Sequence, residues 1–143
     1  MKYQTRDFGE IEIDVKQILT FNQPIYGFED NGKYAFLQDP QVGKEIAWLQ
    51  SLEESELCFI LVAIRSVVPM YRPELPRDAE KLLGKGEYDY WAIAVIKDDF
   101  TKSTVNLKSP IIINWQTGFG AQMILEGDYP VRHPLMEEAK GSC

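Results

Sequence analysis

The chain has 143 residues, of which 45% are hydrophobic and 26% are charged, and its formal net charge at pH 7 is −7. This size and composition exclude a largely disordered chain and predict a single domain over residues 1–143. The negative charge disfavours direct binding to nucleic acid or to an anionic membrane surface, because both need clustered Lys and Arg, and it favours a basic protein partner.

The sequence also carries expectations about location. Met1 to Glu10 is polar and lacks the apolar core of a signal peptide, and no apolar run reaches the roughly 18 residues that a membrane helix needs. We therefore expect a cytoplasmic protein with no membrane contact. The two cysteines, Cys58 and Cys143, form neither a disulfide framework nor a metal-binding spacing.

Short apolar segments predict a mainly β structure. From Glu10 to Val15, acidic and aliphatic residues alternate, which is typical of a half-buried strand. Further apolar runs are separated by turn-forming residues and lie at 34–37, 46–49, 57–64, 90–96, 104–107, 111–115 and 121–125. We expect about eight short strands in a small antiparallel β-barrel-like or sandwich domain. Four aromatic residues in or near these runs are expected to be core: Trp48, Phe59, Trp91 and Trp115.

One or two short helices are expected. Pro76 suits a first helical position, two acidic residues follow in the first turn, and Gly84 can end the helix. A weaker candidate runs from Asp14 to Leu19, with Asp14 as its cap. Residues 68–76, which we call the proline loop, contain Pro69, Pro73 and Pro76 and are expected to be extended, stiff and exposed.

Residue types that support catalysis are scarce. His133 is the one histidine, it precedes a proline, and no Cys-x-x-Cys pair occurs. The stretch Gly84-Lys85-Gly86 lacks the remaining residues of a phosphate-binding loop. The sequence therefore predicts a binding protein with no catalytic residues, no cofactor and no metal, not an enzyme.

Several blocks, taken together, are similar to one known family. They are Thr5-Arg6-Asp7-Phe8-Gly9-Glu10-Ile11-Glu12-Ile13, Ile18-Leu19-Thr20-Phe21, Gly27-Phe28-Glu29-Asp30, Trp48-Leu49-Gln50-Ser51-Leu52, Phe59-Ile60-Leu61-Val62, Tyr71-Arg72-Pro73-Glu74-Leu75-Pro76, Asn106-Leu107-Lys108-Ser109-Pro110-Ile111-Ile112-Ile113-Asn114 and Tyr129-Pro130-Val131-Arg132-His133-Pro134-Leu135. In this order and spacing they resemble the FliW family of flagellar assembly factors. The stretch Asn22-Gln23-Pro24-Ile25 departs from the family pattern, and we expect a turn of a different shape there. Gly141 to Cys143 has no counterpart and is a possible tail.

The resemblance implies a protein that binds two partners, flagellin and the RNA-binding translational regulator CsrA, and needs no cofactor. It implies that the protein holds CsrA away from flagellin mRNA until newly made flagellin captures it. An acidic surface suits a basic RNA-binding partner. An exposed sheet edge that pairs with a flagellin segment is one physical route to the second contact.

The proline loop and the helix after it are the predicted partner-binding surface. They combine an aromatic, aliphatic and carboxylate side chains on a stiff exposed stretch, as a recognition surface should. The predicted residues are Met70, Tyr71, Glu74, Leu75, Asp78 and Glu80. The alternative for this stretch is a structural cap over one barrel end. The alternative for the whole chain is a β-barrel that binds a flavin-like small molecule or acts as an enzyme.

Overall fold

The structure is a computed structural model that describes residues 1–136. The possible tail, Gly141 to Cys143, lies outside the described residues. Within residues 1–136 there are two short α-helices, α1 (Ile64–Val67) and α2 (Ala79–Leu83), and the following strands: β1 (Lys2–Thr5), β2 (Gly9–Glu12), β3 (Ile18–Gln23), β4 (Lys33–Leu37), β5 (Ile46–Ser51), β6 (Cys58–Ala63), β7 (Asp89–Val95), β8 (Thr104–Val105), β9 (Ile111–Asn114), β10 (Phe119–Gln122) and β11 (His133–Pro134).

Seven of these strands close into a barrel. They follow the order β7-β6-β5-β4-β3-β10-β9, and β9 then pairs with β7 through Trp91 opposite Ile111. Each neighbouring pair is antiparallel except β3 and β10, which run parallel with Thr20 opposite Phe119. The predicted mainly β, barrel-like fold with short helices is therefore confirmed, with one parallel pair that the sequence did not indicate.

Two additions lie beside the barrel. Strands β8 and β11 extend the sheet outward from β7. Ile11 of the hairpin β1–β2 and Ile13, directly after it, pack in a cluster with Ala35 and Leu37, and the Arg6 main-chain N donates to Gln50 Oε1 at 2.9 Å. Burying each aliphatic side chain of this kind is worth about 1.5–3 kcal/mol, so the hairpin is held by apolar packing and by one well-placed amide.

The main core fills the barrel. Its members include Leu19, Tyr34, Leu49, Leu61 and Ile111, each with no exposed surface. A second cluster lies outside the barrel wall, where Val62 and Ala92 of β6 and β7 meet Tyr71 of the proline loop. The proline loop is thus attached to the barrel by its own apolar core.

Most expected elements are present, with small shifts. All eight predicted strands are found, and α2 begins at Ala79, three residues after Pro76. The Asp14 candidate is a 3-10 helix, Val15–Gln17, capped by the Asp14 side chain on the Lys16 main-chain N. Strand β3 was not predicted. Within residues 1–136, neither helix has the length and hydropathy needed to cross a bilayer.

The core assignment of Trp115 is wrong. Trp91 is buried and Trp48 and Phe59 are half-buried, whereas 42% of the Trp115 side chain is exposed. Trp115 follows β9 directly and lies in the turn that leads to β10, outside the strand. There its indole N–H donates to Asp89 Oδ2 at 2.7 Å, and its ring meets Phe36 edge-on.

Candidate functional site

Tyr71 anchors the proline loop. Its side chain is 2% exposed, and its hydroxyl donates to the Leu107 carbonyl at 2.9 Å. Its ring packs edge-on against Tyr129 and Tyr90, with centroid distances of 5.2 Å and 6.0 Å. Burial raises the pKa of this hydroxyl well above its ordinary value. The exposure expected for Tyr71 is therefore wrong, because this side chain fills the second core and holds the loop in place.

Arg65, in α1, reinforces the same anchor. Its Nε donates to the Tyr71 carbonyl at 3.2 Å, and its guanidinium lies 5.5 Å from the centre of the Tyr90 ring. The proline loop is therefore tied to the barrel through both the side chain and the main chain of Tyr71. A loop held in this way loses little conformational entropy when a partner binds.

The C-terminal end of α2 is fixed by polar side chains from the barrel. Asn114 Nδ2 donates to the Leu83 carbonyl at 2.9 Å and to the Lys85 carbonyl at 3.1 Å. Thr117 Oγ1 also donates to the Leu83 carbonyl, and Asn22 Nδ2 donates to the Leu82 carbonyl at 2.8 Å. These bonds satisfy carbonyl groups that a short helix leaves without partners.

Gly84 allows the chain to leave α2 at this point. Its φ is +82°, and an added Cβ would lie 2.8 Å from Thr117 Cγ2. A side chain is therefore excluded both by the backbone conformation and by the close approach of Thr117.

The predicted contact residues other than Tyr71 face outward or lie at the surface. Met70 is 78% exposed, and Glu74, Asp78 and Glu80 are exposed. Leu75 is half-buried and packs against both the Tyr71 cluster and the cluster under α2. Five of the six predicted residues therefore lie at or near the surface of the proline loop and the start of α2.

This surface is not uniformly acidic. Glu74, Asp78 and Glu80 are interspersed along the chain with three cationic residues, Arg72, Arg77 and Lys81, and all six are exposed. Net charge therefore does not explain recognition here. The positions of individual charges on a rigid backbone would have to do so.

Two cavities flank this surface and meet at Pro76. The first, an apolar cleft of about 280 Å³, lies between Leu82 of α2 and the side chains of Tyr26, Met123 and Ile124. The second, a polar cavity of about 270 Å³, has Glu74 and Glu126 among its lining residues, together with Arg72 and Tyr129. An apolar side chain and a neighbouring cationic one could be held side by side across Pro76.

Sequence reasoning missed the part of this site that other segments supply. Tyr26 is 75% exposed and Ile124 is exposed beside it, while Glu126 comes from the segment after β10. One signal was available: Tyr26 follows the polar stretch with Pro24 that departs from the family pattern. An aromatic residue in such a stretch has no strand to bury it.

His133 lies in β11, paired with Val105, and its Nδ1 is 2.8 Å from the Pro134 carbonyl. Among the residues that the structure describes, no group of three or more His, Cys, Asp and Glu side chains could hold a metal ion. The arrangement of the proline loop and α2 is suited to binding another macromolecule through shape and individual charges.

Comparison with known proteins gives consistent matches along nearly the whole chain. The family model described as "FliW protein" matches residues 2–135. A flagellar assembly factor FliW from Ruminiclostridium cellulolyticum is 37% identical over 142 residues, which cover 96% of each chain. One from Lachnospira eligens is 37% identical over 148 residues, covering 98% of this chain and 97% of that protein.

A solved structure agrees with these sequence matches. The crystal structure of a flagellar assembly factor FliW superposes with a TM-score of 0.88 and 31% sequence identity. The superposition covers 96% of this chain and 99% of the other.

Proposed function

Because this chain belongs to the FliW family of flagellar assembly factors, we propose that it binds the translational regulator CsrA and flagellin in turn. While bound to this protein, CsrA is kept from flagellin mRNA. Newly made flagellin captures the protein and releases CsrA, which then represses further flagellin translation. The work is protein binding in the cytoplasm, where flagellin is translated, and it includes no catalytic step and no cofactor.

We place the CsrA contact on the proline loop and α2. The observation that carries this assignment is the contrast between the buried anchor, Tyr71, and the exposed side chains next to it, Met70 and Glu74. An exposed methionine on a loop fixed from below adapts its shape to a partner at low entropic cost.

The carboxylates supply the electrostatic part of the contact. Glu74, Asp78 and Glu80 make no salt bridge within residues 1–136. They are therefore available to Lys and Arg side chains of a basic partner. Exposed charge pairs are worth about 0.2–1 kcal/mol each, so three of them together change affinity by roughly 3-fold to 150-fold.

A charge-reversal variant tests this assignment. We expect Glu74→Lys, Asp78→Lys and Glu80→Lys in one chain to weaken CsrA binding at least about tenfold while leaving the melting temperature nearly unchanged. The matched control is Glu10→Lys, Glu45→Lys and Asp98→Lys, which changes the net charge equally at exposed sites elsewhere. Equal CsrA affinity in the two variants would show that CsrA does not use this surface.

A further inference from the structure

The barrel wall is open at one end. Strands β6 and β7 pair only where Leu61–Ala63 lies opposite Trp91–Ile93. Beyond that point β7 turns to β8, with Ala94 opposite Val105. The start of β6 and the end of β7 therefore separate and leave a space of about 490 Å³, which we call the barrel mouth.

The barrel mouth is lined mainly by apolar side chains. Phe28 meets Phe59 edge-on with a centroid distance of 5.1 Å, and Ile93 and Val95 continue the same wall. Phe28, Val95 and Val131 are exposed to solvent. Removing such apolar surface from water is favourable, so an apolar side chain of suitable size would be stabilised here.

Arg132 gives the barrel mouth a charge opposite to that of the protein as a whole. It is the one charged side chain among the described residues that line this space, and no Asp or Glu is among them. It also makes no salt bridge within residues 1–136. In a chain with a net charge of −7, this local positive charge selects for an anionic group next to the apolar wall.

We propose that the barrel mouth is a second docking surface, for a peptide segment of a protein partner in which an apolar side chain is followed by Asp or Glu. The apolar side chain contacts Phe28, Phe59 and Val95, and the carboxylate pairs with Arg132. This surface differs in charge from the proline loop, where three carboxylates are exposed. The proposal does not depend on which protein binds the proline loop.

The barrel mouth adjoins the apolar cleft beside α2. Tyr26 and Gln122 line both spaces. Gln122 Oε1 accepts a hydrogen bond from the Tyr26 main-chain N at 2.7 Å, and Gln122 Nε2 donates to the Ser109 carbonyl at 3.2 Å. A peptide that displaces Tyr26 from the barrel mouth side therefore also changes the wall of the cleft.

Two short peptides test the proposal on the full chain. Acetyl-Leu-Phe-Asp-amide and acetyl-Leu-Phe-Lys-amide are titrated at low salt while the amide NMR signals are followed. We expect the Asp peptide to bind about two- to fivefold more tightly and to shift signals of Phe28, Phe59, Ile93 and Val95. Arg132→Glu should reverse the preference, whereas Arg77→Glu, an exposed arginine outside the mouth, should leave it unchanged.

Three results would overturn the proposal. They are equal binding of the two peptides, a preference that Arg132→Glu does not alter, and shifts confined to residues outside the barrel mouth. Flavin mononucleotide and decanoate are titrated in parallel. If either shifts the barrel mouth signals while neither peptide does, the site takes a small molecule and not a peptide.

Discussion

Asn114, in the barrel strand β9, donates a hydrogen bond from its side-chain Nδ2 to the main-chain carbonyl of Leu83, the last residue of α2, at 2.9 Å. The Asn114 side chain has no exposed surface, and its Oδ1 accepts from the Gln116 main-chain N at 2.9 Å. One buried amide thus ties the helix of the candidate site to the turn after β9. The position of α2 is therefore set by the barrel and not by the helix itself.

Replacing this amide should loosen α2. Asn114→Ala leaves the Lys85 carbonyl without its donor and the Leu83 carbonyl with Thr117 Oγ1 as its remaining side-chain donor, which we expect to lower the free energy of unfolding by about 2 kcal/mol. Asn22→Ala is the control, because Asn22 is exposed and bonds only the Leu82 carbonyl, so its loss should cost about 0.5–1 kcal/mol. Urea unfolding measures both. Equal losses would contradict a special role for Asn114.

Substitutions at Tyr71 should change the stability of the fold without changing the affinity for CsrA. Tyr71→Phe removes the bond to the Leu107 carbonyl and should lower the free energy of unfolding by about 1–2 kcal/mol. Tyr71→Ala also leaves a cavity in the second core and should cost about 3–5 kcal/mol. CsrA affinity should be unchanged in the phenylalanine variant, measured at a temperature where it is folded. A large loss of affinity in that variant would mean that the hydroxyl itself contacts the partner.

Stability should fall in alkaline solution. Burial raises the pKa of the Cys58 thiol from 9.0 to about 11. Between these values the folded chain keeps a proton that the unfolded chain has released, so this contribution to stability is present below pH 9 and is lost as the pH rises toward 11. Cys58→Ala should reduce the slope of unfolding free energy against pH in this range. An unchanged slope would mean that the loss of stability in alkaline solution comes from buried tyrosines such as Tyr34 and Tyr71, whose pKa values are also raised by burial.

Much of the barrel could be predicted from the sequence, because alternation and turn residues are local signals. Strand β3 was missed because it ends in Asn22 and Gln23, which look like loop residues, although Gln23 is held by pairing with Ala121 of β10. The parallel pairing of β3 with β10 joins segments about a hundred residues apart, and no local pattern reports such a contact.

The candidate site also has features that the sequence predicts and features that depend on contacts between distant segments. Proline content identified the stiff loop, and five of the six residues predicted in this loop and the helix after it lie at or near the surface. The burial of Tyr71 depends on ring contacts with Tyr90 and Tyr129 and on the hydrogen bond to the Leu107 carbonyl. These residues come from other segments, so no spacing within the loop could indicate that Tyr71 is buried. Tyr26 and Glu126 lie far from the proline loop in sequence and line the two cavities only because the fold brings their segments next to Pro76.

Tyr26 should contribute to CsrA binding without supporting the fold. Because its side chain is 75% exposed, Tyr26→Ala should change the free energy of unfolding by less than about 0.5 kcal/mol. An aromatic side chain at the edge of a cleft commonly contributes 1–2 kcal/mol to binding, so we expect a roughly tenfold loss of CsrA affinity. Val15→Ala, at an exposed position that lines neither of the two cavities, is the control. Equal affinities for CsrA in the two variants would show that CsrA does not contact the apolar cleft.

The central claim is partner exchange, and calorimetry tests it most directly. This protein is titrated with purified CsrA, with monomeric flagellin from the same bacterium, and with CsrA after a flagellin complex has formed. The account predicts tight binding in each of the first two titrations and a much weaker CsrA signal in the third. CsrA binding of equal affinity with and without flagellin, or no heat with either partner from folded protein, would contradict it.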